Sequence, residues 1–269
     1  MRTRYPFMQK EAWTYSMAGT VLGAFGLLLR WLQWEIIYDE ASGLPLANMP
    51  VSYLVVLYLA VMTAVLWWLS GRMGAELGSE EPEKAMAETG RLVNVLLIIA
   101  ALAAGGGSAL MFLKESSVLM RANALLGILS AFALANYPTL SRWGGFGAVL
   151  SLLPVAFFSL WIVLFYKTNA VNPIVWEYGI QILAIAGALL ASYRLSSCLF
   201  YRSDPRKTIF ACALGQAISL TVLMDNASTG ARVLFAGWAI GLGVLCWVLV
   251  RNFGTEPEEK KEEEPISSN

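Results

Sequence analysis

The sequence predicts an all-α, polytopic membrane helix bundle of about eight transmembrane helices. Apolar residues make up 57% of the 269 residues and charged residues make up 14%, compared with roughly half and a quarter in soluble domains. The apolar residues also cluster into runs close to the ~20 residues that a helix needs to cross a ~30 Å hydrocarbon core. Because backbone polar groups find no water at that depth, we expect these runs to form helices instead of open strands.

Each candidate span is an apolar run bounded by polar or charged residues. The predicted spans are Ala12–Leu29, Val51–Leu69, Leu92–Leu113, Val118–Ala135, Gly144–Tyr166, Ile174–Leu190, Thr208–Met224 and Ala231–Val250. The first run follows basic residues, as the apolar part of a signal peptide does, but no small-residue cleavage site comes after it. We therefore expect it to be retained as the first span. The fourth run is the least regular, because it contains Arg121.

Lysine and arginine are distributed unevenly between the predicted loops. If the N-terminus is cytoplasmic, fourteen of the 19 basic residues lie on the cytoplasmic side and five lie in or near the outer loops. The five outer residues are Arg30, Lys114, Arg121, Lys167 and Arg232. Since cytoplasmic loops of membrane proteins are enriched in Lys and Arg, we expect both termini to be cytoplasmic. The expected location is the plasma membrane.

The chain divides into a predicted bundle, residues 1–253, and a C-terminal tail, residues 254–269. The tail is acidic and poor in apolar residues, so we expect it to be disordered. The segment Ser79–Glu83 combines an N-cap residue, early acids and a proline, which are helix-start signals. We therefore expect the third helix to begin well inside the cytoplasm and to project beyond the membrane.

The two halves of the bundle, residues 1–142 and 143–253, have features of a tandem 4+4 repeat. The segment Ala101–Glu115 aligns without a gap with Ala211–Asp225, so that both segments end on an acidic residue. An arginine follows each acid at a similar distance. Apolar helices rich in alanine, glycine and leucine match one another easily, so chance similarity is the alternative explanation.

Ionisable residues in or next to the predicted spans collect in the outer half of the membrane. A charge at the centre of a helix costs roughly 2.5–3.5 kcal/mol on insertion scales, so these residues are candidates for a functional site. They are Arg30, Glu35, Glu115, Arg121, Glu177, Asp225 and Arg232. Glu177 is the candidate for a proton-carrying carboxyl group, since partial desolvation raises the pKa of a carboxyl. Mutual neutralisation is the structural alternative, and the predicted pairs are Glu115 with Arg121, Asp225 with Arg232, and Arg30 with Glu177.

Three consecutive glycines, Gly105, Gly106 and Gly107, lie within the third span. Glycine weakens a helix, so the functional interpretation is a local break that exposes backbone groups to a substrate cavity. The structural interpretation is close packing against a neighbouring helix.

Several function classes lack the residues that they need. The chain has no histidine and only 3 cysteines, which form no CxxC spacing, so we expect no metal site and no cofactor. It contains no Walker loop, GxSxG or HExxH motif, so we expect no enzymatic activity. No basic stripe with interleaved aromatic residues suggests a nucleic-acid partner.

Two functions remain open. The first is a small-solute transporter or permease, which the possible repeat, the glycine run and the outer-half charges favour. The second is a non-catalytic membrane subunit or sensor that binds a protein partner through its cytoplasmic loops, which the projecting helix and the acidic tail favour. The lipid bilayer is the one partner that both functions share.

Overall fold

The structure, a computed structural model, describes the backbone of residues 6–37, 50–72, 86, 90–171, 175–200 and 204–253. Side chains are described for the same residues except 6–13, 175–177 and 253. Every regular element of these ranges is a helix, which confirms the predicted all-α fold. The α-helices are α1 (Pro6–Ile37), α2 (Pro50–Gly71), α3 (Arg91–Lys114), α4 (Val118–Leu140), α5 (Gly144–Leu150), α6 (Leu153–Asn169), α7 (Val175–Leu199), α8 (Pro205–Thr221) and α9 (Thr229–Phe253). A 3-10 turn at Val222–Met224 extends α8.

In the described part of the chain, 7 helical stretches are long and apolar enough to cross a membrane. One of them, Val118–Asn169, has 52 residues, more than twice the ~20 residues of a single crossing. It turns back at Gly144, whose φ of 56° is a conformation that glycine adopts readily, and α6 then packs along α4. The protein is therefore a membrane helix bundle of about eight spans.

Helices α8 and α9 form the centre of this bundle. In their most apolar 18-residue segments, 72% of the residues are buried, against 28% in α1 and α2. Helix α8 contacts α1, α2, α7 and α9, and α9 also contacts α1 and α3. Polar residues on α8 are therefore shielded from lipid by neighbouring helices. We refer to the two ends of the bundle as the Asp225 end, where α3 and α8 end, and the Arg72 end, where α2 ends and α8 begins.

The glycine run Gly105–Gly107 does not interrupt α3, which is continuous through it. A Cβ atom at Gly107 would lie 2.4 Å from the main-chain nitrogen of Leu234 on α9. A Cβ atom at Gly237 of α9 would likewise lie 2.4 Å from the main-chain nitrogen of Ala104. The predicted helix break is therefore absent, because these glycines let the backbones of α3 and α9 approach closely.

The predicted cytoplasmic projection of the third helix is also wrong. Helix α3 begins at Arg91, and the preceding Gly90 has an extended backbone, with φ −78° and ψ 163°. A helix cannot continue through an extended residue, and glycine is a weak helix former. The segment Ser79–Glu83 and the acidic tail lie outside the described residues.

Candidate functional site

A buried ion pair joins α1 to the turn that follows α8. Arg30 is 1% exposed and Asp225 is 0% exposed, and the Nε atom of Arg30 donates to the Oδ1 atom of Asp225. The side chains of Trp34 and Gln181 also interact with the Asp225 carboxyl group. Buried charges are tolerated when they are paired and hydrogen-bonded in this way, so each of these two residues depends on the other.

Further polar contacts connect the guanidinium group of Arg30 to α2. Its Nη1 atom donates to the Oε1 atom of Gln33, and the Nε2 atom of Gln33 donates to the Oγ atom of Ser52 at 3.1 Å. The guanidinium carbon also lies 4.9 Å from the ring centroid of Trp34, which is the range of a cation–π interaction. Side chains from α1, α2, α7 and the α8 turn thus surround one buried pair of charges.

Small and polar residues continue from this ion pair along the interface between α1 and α8. We call this region the polar seam, and it consists of Ser16, Gly19, Thr20, Gly23, Gly26 and Arg30 on α1 and of Gln216, Thr221 and Asp225 on α8 and its turn. At its far end the Oγ atom of Ser16 donates to the main-chain carbonyl of Gly243 on α9 at 3.2 Å. Each of these α1 residues has another of the set three or four positions away, so they share one face of the helix. In the middle of the seam, the Nε2 atom of Gln216 donates to the Oγ1 atom of Thr20 at 2.8 Å.

Two polar atoms near the middle of α8 have no hydrogen-bond partner among the described residues. They are the Oε1 atom of Gln216 and the Oγ atom of Ser219, on side chains that are 5% and 0% exposed. Gly19 and Gly243 make room for Gln216, since a Cβ atom at either position would lie within 2.6 Å or 2.4 Å of its amide. A buried polar group without a partner costs about 1–3 kcal/mol, so a polar ligand that bonds the Oε1 atom of Gln216 would remove this cost.

The four other predicted charged residues with described side chains are not residues of the polar seam; they are Glu35, Glu115, Arg121 and Arg232. Glu35 is exposed on α1. The Nε atom of Arg121 donates to the main-chain carbonyl of Glu115 at 2.7 Å. The Nε and Nη2 atoms of Arg232 donate to the main-chain carbonyl of Asp225 at 3.1 and 2.8 Å. The two predicted acid–arginine pairs therefore exist through main-chain carbonyls, not through carboxylates, and the carboxylate of Asp225 is taken by Arg30.

The predicted pair of Arg30 with Glu177 is not tested by the structure. The side chain of Glu177 lies outside the described residues, so this contact and its proton-carrying role stay predictions. The carboxylate that pairs with Arg30 in the described part of the chain is that of Asp225.

Neutral polar residues of the site were not among the predicted site residues. These residues carry no charge, so the free-energy cost of a charge at membrane depth does not identify them in the sequence. They are Gln33, Ser52, Gln181 and Gln216. A signal for the α1 side of the seam was present in the sequence, because Ser16, Thr20 and the glycines between them and Arg30 follow helical spacing.

Among the described residues, no group of three or more His, Cys, Asp or Glu side chains could hold a metal ion. No protein-family model, curated protein or solved structure matches the chain. The geometry of the polar seam is therefore the evidence that bears on function.

Proposed function

We propose that this membrane protein transports a small polar solute across the plasma membrane, with the polar seam as its path. One observation carries the proposal: a buried ion pair stands at one end of a polar stripe that continues to the middle of the bundle. Polar and charged groups inside membrane spans are costly, and they commonly mark substrate or ion pathways. The middle of the stripe also holds an amide oxygen without a hydrogen-bond partner among the described residues, the Oε1 atom of Gln216.

Passage of a solute requires α1 to separate from α8. A Cβ atom at Gly23 would lie 2.9 Å from the Cα atom of Ala217, and one at Gly26 would lie 2.3 Å from the Oγ1 atom of Thr221. The seam is thus tightly packed in this conformation. Helix α1 is the better candidate for movement, since 28% of its apolar segment is buried, against 72% in α8.

A solute could start the separation of α1 from α8 at the ion pair of Arg30 and Asp225. A solute with a cationic or strongly donating group competes with Arg30 for the carboxylate of Asp225, which loosens the contact between α1 and the α8 turn. Deeper in the seam, the same solute donates a hydrogen bond to the Oε1 atom of Gln216. The seam therefore favours solutes that carry several hydrogen-bond donors.

The distribution of basic residues supports an orientation for this path. Arg72, Arg142, Arg194, Arg206 and Arg251 all belong to the Arg72 end, which the enrichment of basic residues in cytoplasmic loops assigns to the cytoplasm. Both termini are then cytoplasmic and the Asp225 end faces outward. Reporter fusions at Gly78 and Asp204 test this orientation, and an outward location of either site contradicts it.

Flux measurements on the reconstituted full chain test the transport proposal. Vesicles are subjected to an osmotic step with glycerol, urea, glycine, ethanolamine or choline chloride, and the recovery of their volume is followed by light scattering. We expect at least one solute to enter protein-containing vesicles faster than empty vesicles. Gln216→Leu removes the unpaired Oε1 atom together with the amide that carries it, and it is expected to lower this rate at least about tenfold, which corresponds to about 1.4 kcal/mol.

A matched control is Asn136→Leu. Asn136 lies on α4, away from the seam, and its Nδ2 atom bonds the main-chain carbonyl of Phe132 at 2.8 Å. Its substitution is expected to leave the flux unchanged. Equal rates in empty and protein-containing vesicles, together with a stoichiometric protein that copurifies in mild detergent, would support the subunit alternative and contradict transport.

A further inference from the structure

At the Arg72 end, α2 ends beside the beginning of α8, and aromatic rings connect the two helices. The rings of Trp67 on α2 and Phe210 on α8 pack edge to face, with centroids 5.1 Å apart and an interplanar angle of 89°. Trp67 and Trp68 are 56% and 55% exposed on the surface of the bundle, so their rings face lipid. Tryptophan is enriched at the level of the lipid headgroups, which is the level that the end of a membrane span reaches.

Two arginines lie at this aromatic surface. The guanidinium carbon of Arg72 lies 3.8 Å from the ring centroid of Trp68, which is within the range of a cation–π interaction. Arg206 lies one helical turn before Phe210, on the same face of α8. Neither arginine side chain bonds a carboxylate among the described residues. Their N–H donors are therefore available to an anionic group from outside the protein.

The described acid beside this surface is already neutralised. Asp204 caps α8 by accepting from the main-chain nitrogen of Lys207 at 3.3 Å, and its carboxylate lies 2.9 Å from the Nζ atom of Lys207. Burial raises the pKa of the Asp204 carboxyl group, but the hydrogen bonds and charge of Lys207 outweigh this effect, so the pKa lies below its usual value. Asp204 and Lys207 thus cancel one another at neutral pH, and the charges of Arg72 and Arg206 stay uncompensated within the described residues.

We infer that the junction of α2 and α8 is a binding site for an anionic phospholipid. Arg72 and Arg206 bind the phosphate oxygens, and an acyl chain lies along the exposed rings of Trp67 and Trp68. Arginine suits this ligand because its planar set of donors matches the oxygens of a phosphate. The N-terminus of α8, with the positive end of its helix dipole, adds a favourable field for an anion. Basic residues next to membrane spans also attract anionic lipids.

Lipid-dependent thermal stability tests this site. The full chain is purified in a neutral detergent and titrated with phosphatidylglycerol, phosphatidylcholine or inorganic phosphate, and its unfolding temperature is recorded. We expect phosphatidylglycerol to raise the unfolding temperature saturably and the other two additives to have little effect. In the double variant Arg72→Gln/Arg206→Gln, the apparent affinity for phosphatidylglycerol is expected to fall about 30-fold, equivalent to about 2 kcal/mol.

The control removes the same amount of charge from the same end of the bundle. Arg91 and Arg142 are exposed at the Arg72 end, and no aromatic ring lies under either guanidinium group among the described residues. Arg91→Gln/Arg142→Gln is expected to change the affinity less than about twofold, a difference of about 0.4 kcal/mol. An equal loss in both double variants would show a diffuse charge effect and would overturn the proposal.

Two further measurements test the lipid site if the double variant does not fold or if inorganic phosphate also stabilises the protein. If Arg72→Gln/Arg206→Gln does not fold, the single variants Trp68→Leu and Arg206→Lys replace it. Each keeps the total charge but removes the ring under Arg72 or the planar donors of Arg206, and each is expected to weaken phosphatidylglycerol binding several-fold. Unchanged binding in both overturns the site. A stabilisation by inorganic phosphate that matches that of the lipid also overturns it, because the acyl chain then contributes nothing.

Discussion

Two turns of this bundle are built alike at the level of the backbone and differ in what surrounds them. Glu115 follows the end of α3 with φ −77° and ψ 139°, and Asp225 follows the end of the α8 segment with φ −68° and ψ 158°. In each turn, a later arginine donates to the main-chain carbonyl of the acid: Arg121 to Glu115 and Arg232 to Asp225. The local sequence thus produces the same acid–arginine turn twice.

The difference lies in a third partner. Asp225 is fully buried and its carboxylate is bound by Arg30 of α1, whereas Glu115 is partly exposed and lies in the turn between two neighbouring helices, α3 and α4. One turn is therefore a structural connection and the other is a buried charged site. Packing of α1 on α8, more than the turn itself, therefore creates the site. The tandem repeat of the two halves stays a prediction.

The largest expected effect comes from removing the acid of each turn. Asp225→Ala leaves the guanidinium of Arg30 buried without its carboxylate, which is expected to lower the free energy of unfolding by about 3–5 kcal/mol. Glu115→Ala removes a partly exposed carboxylate, and a change of less than about 1 kcal/mol is expected. Unfolding of both variants in the same detergent measures the two effects. Equal destabilisation would mean that the turns do not differ as described.

This comparison also has an internal check. Arg30→Gln in the Asp225→Ala background removes the unpaired charge, so it is expected to recover part of the lost stability. No recovery in the double variant would show that the loss arises from the turn backbone instead of from the ion pair.

An intermediate effect is expected at the glycines that the repeat aligns, Gly105 and Gly215. A Cβ atom at Gly215 would lie 3.0 Å from the carbonyl oxygen of Gly187, whereas one at Gly105 would meet the Cβ atom of Ala131 at 3.3 Å. Gly215→Ala is therefore expected to destabilise by about 1–2 kcal/mol. Gly105→Ala is expected to be close to neutral, because the better helix propensity of alanine offsets the tighter contact. Thermal unfolding in detergent measures both, and a larger loss at Gly105 would contradict the central position of α8.

The smallest effect is expected at the two arginines that bind the turn carbonyls. Arg121→Gln and Arg232→Gln each remove hydrogen bonds to one main-chain carbonyl from an exposed side chain, and each is expected to lower the free energy of unfolding by about 0.5 kcal/mol. Similar values would support the equivalence of the two backbones. A much larger value for Arg232→Gln would show that it also maintains the position of Asp225.

The predicted spans agree with the helices because hydrophobic length is a local property of the sequence. The second span, predicted as Val51–Leu69, is observed as Pro50–Gly71. The first span is instructive, since it was predicted to end at Leu29 and α1 continues to Ile37. Hydropathy ends a span at the first charged residue, but Arg30 is buried against Asp225, so the helix continues past it.

The partner of Arg30 could not be predicted in the same way. Asp225 lies 195 residues away in sequence, and its contact with Arg30 depends on how α1 packs against α8. The residues Ser16, Thr20, Gly23 and Gly26 make this close packing possible, and their spacing shows which face of α1 is involved without showing which helix covers it. The seam therefore required the three-dimensional structure.

We expect the buried turn at Asp225 to take part in solute movement and the partly exposed turn at Glu115 to have no part in it. This expectation is tested most directly by the flux of the permeant solute in vesicles that contain Arg30→Gln/Asp225→Asn, compared with Arg121→Gln/Glu115→Gln. Both double variants remove one acid and one arginine, and the first keeps hydrogen-bonding groups in place of the ion pair. We predict that both fold, that the seam variant loses the flux and that the other variant keeps it. A wild-type flux in the seam variant, or an equal loss in both, would contradict the account.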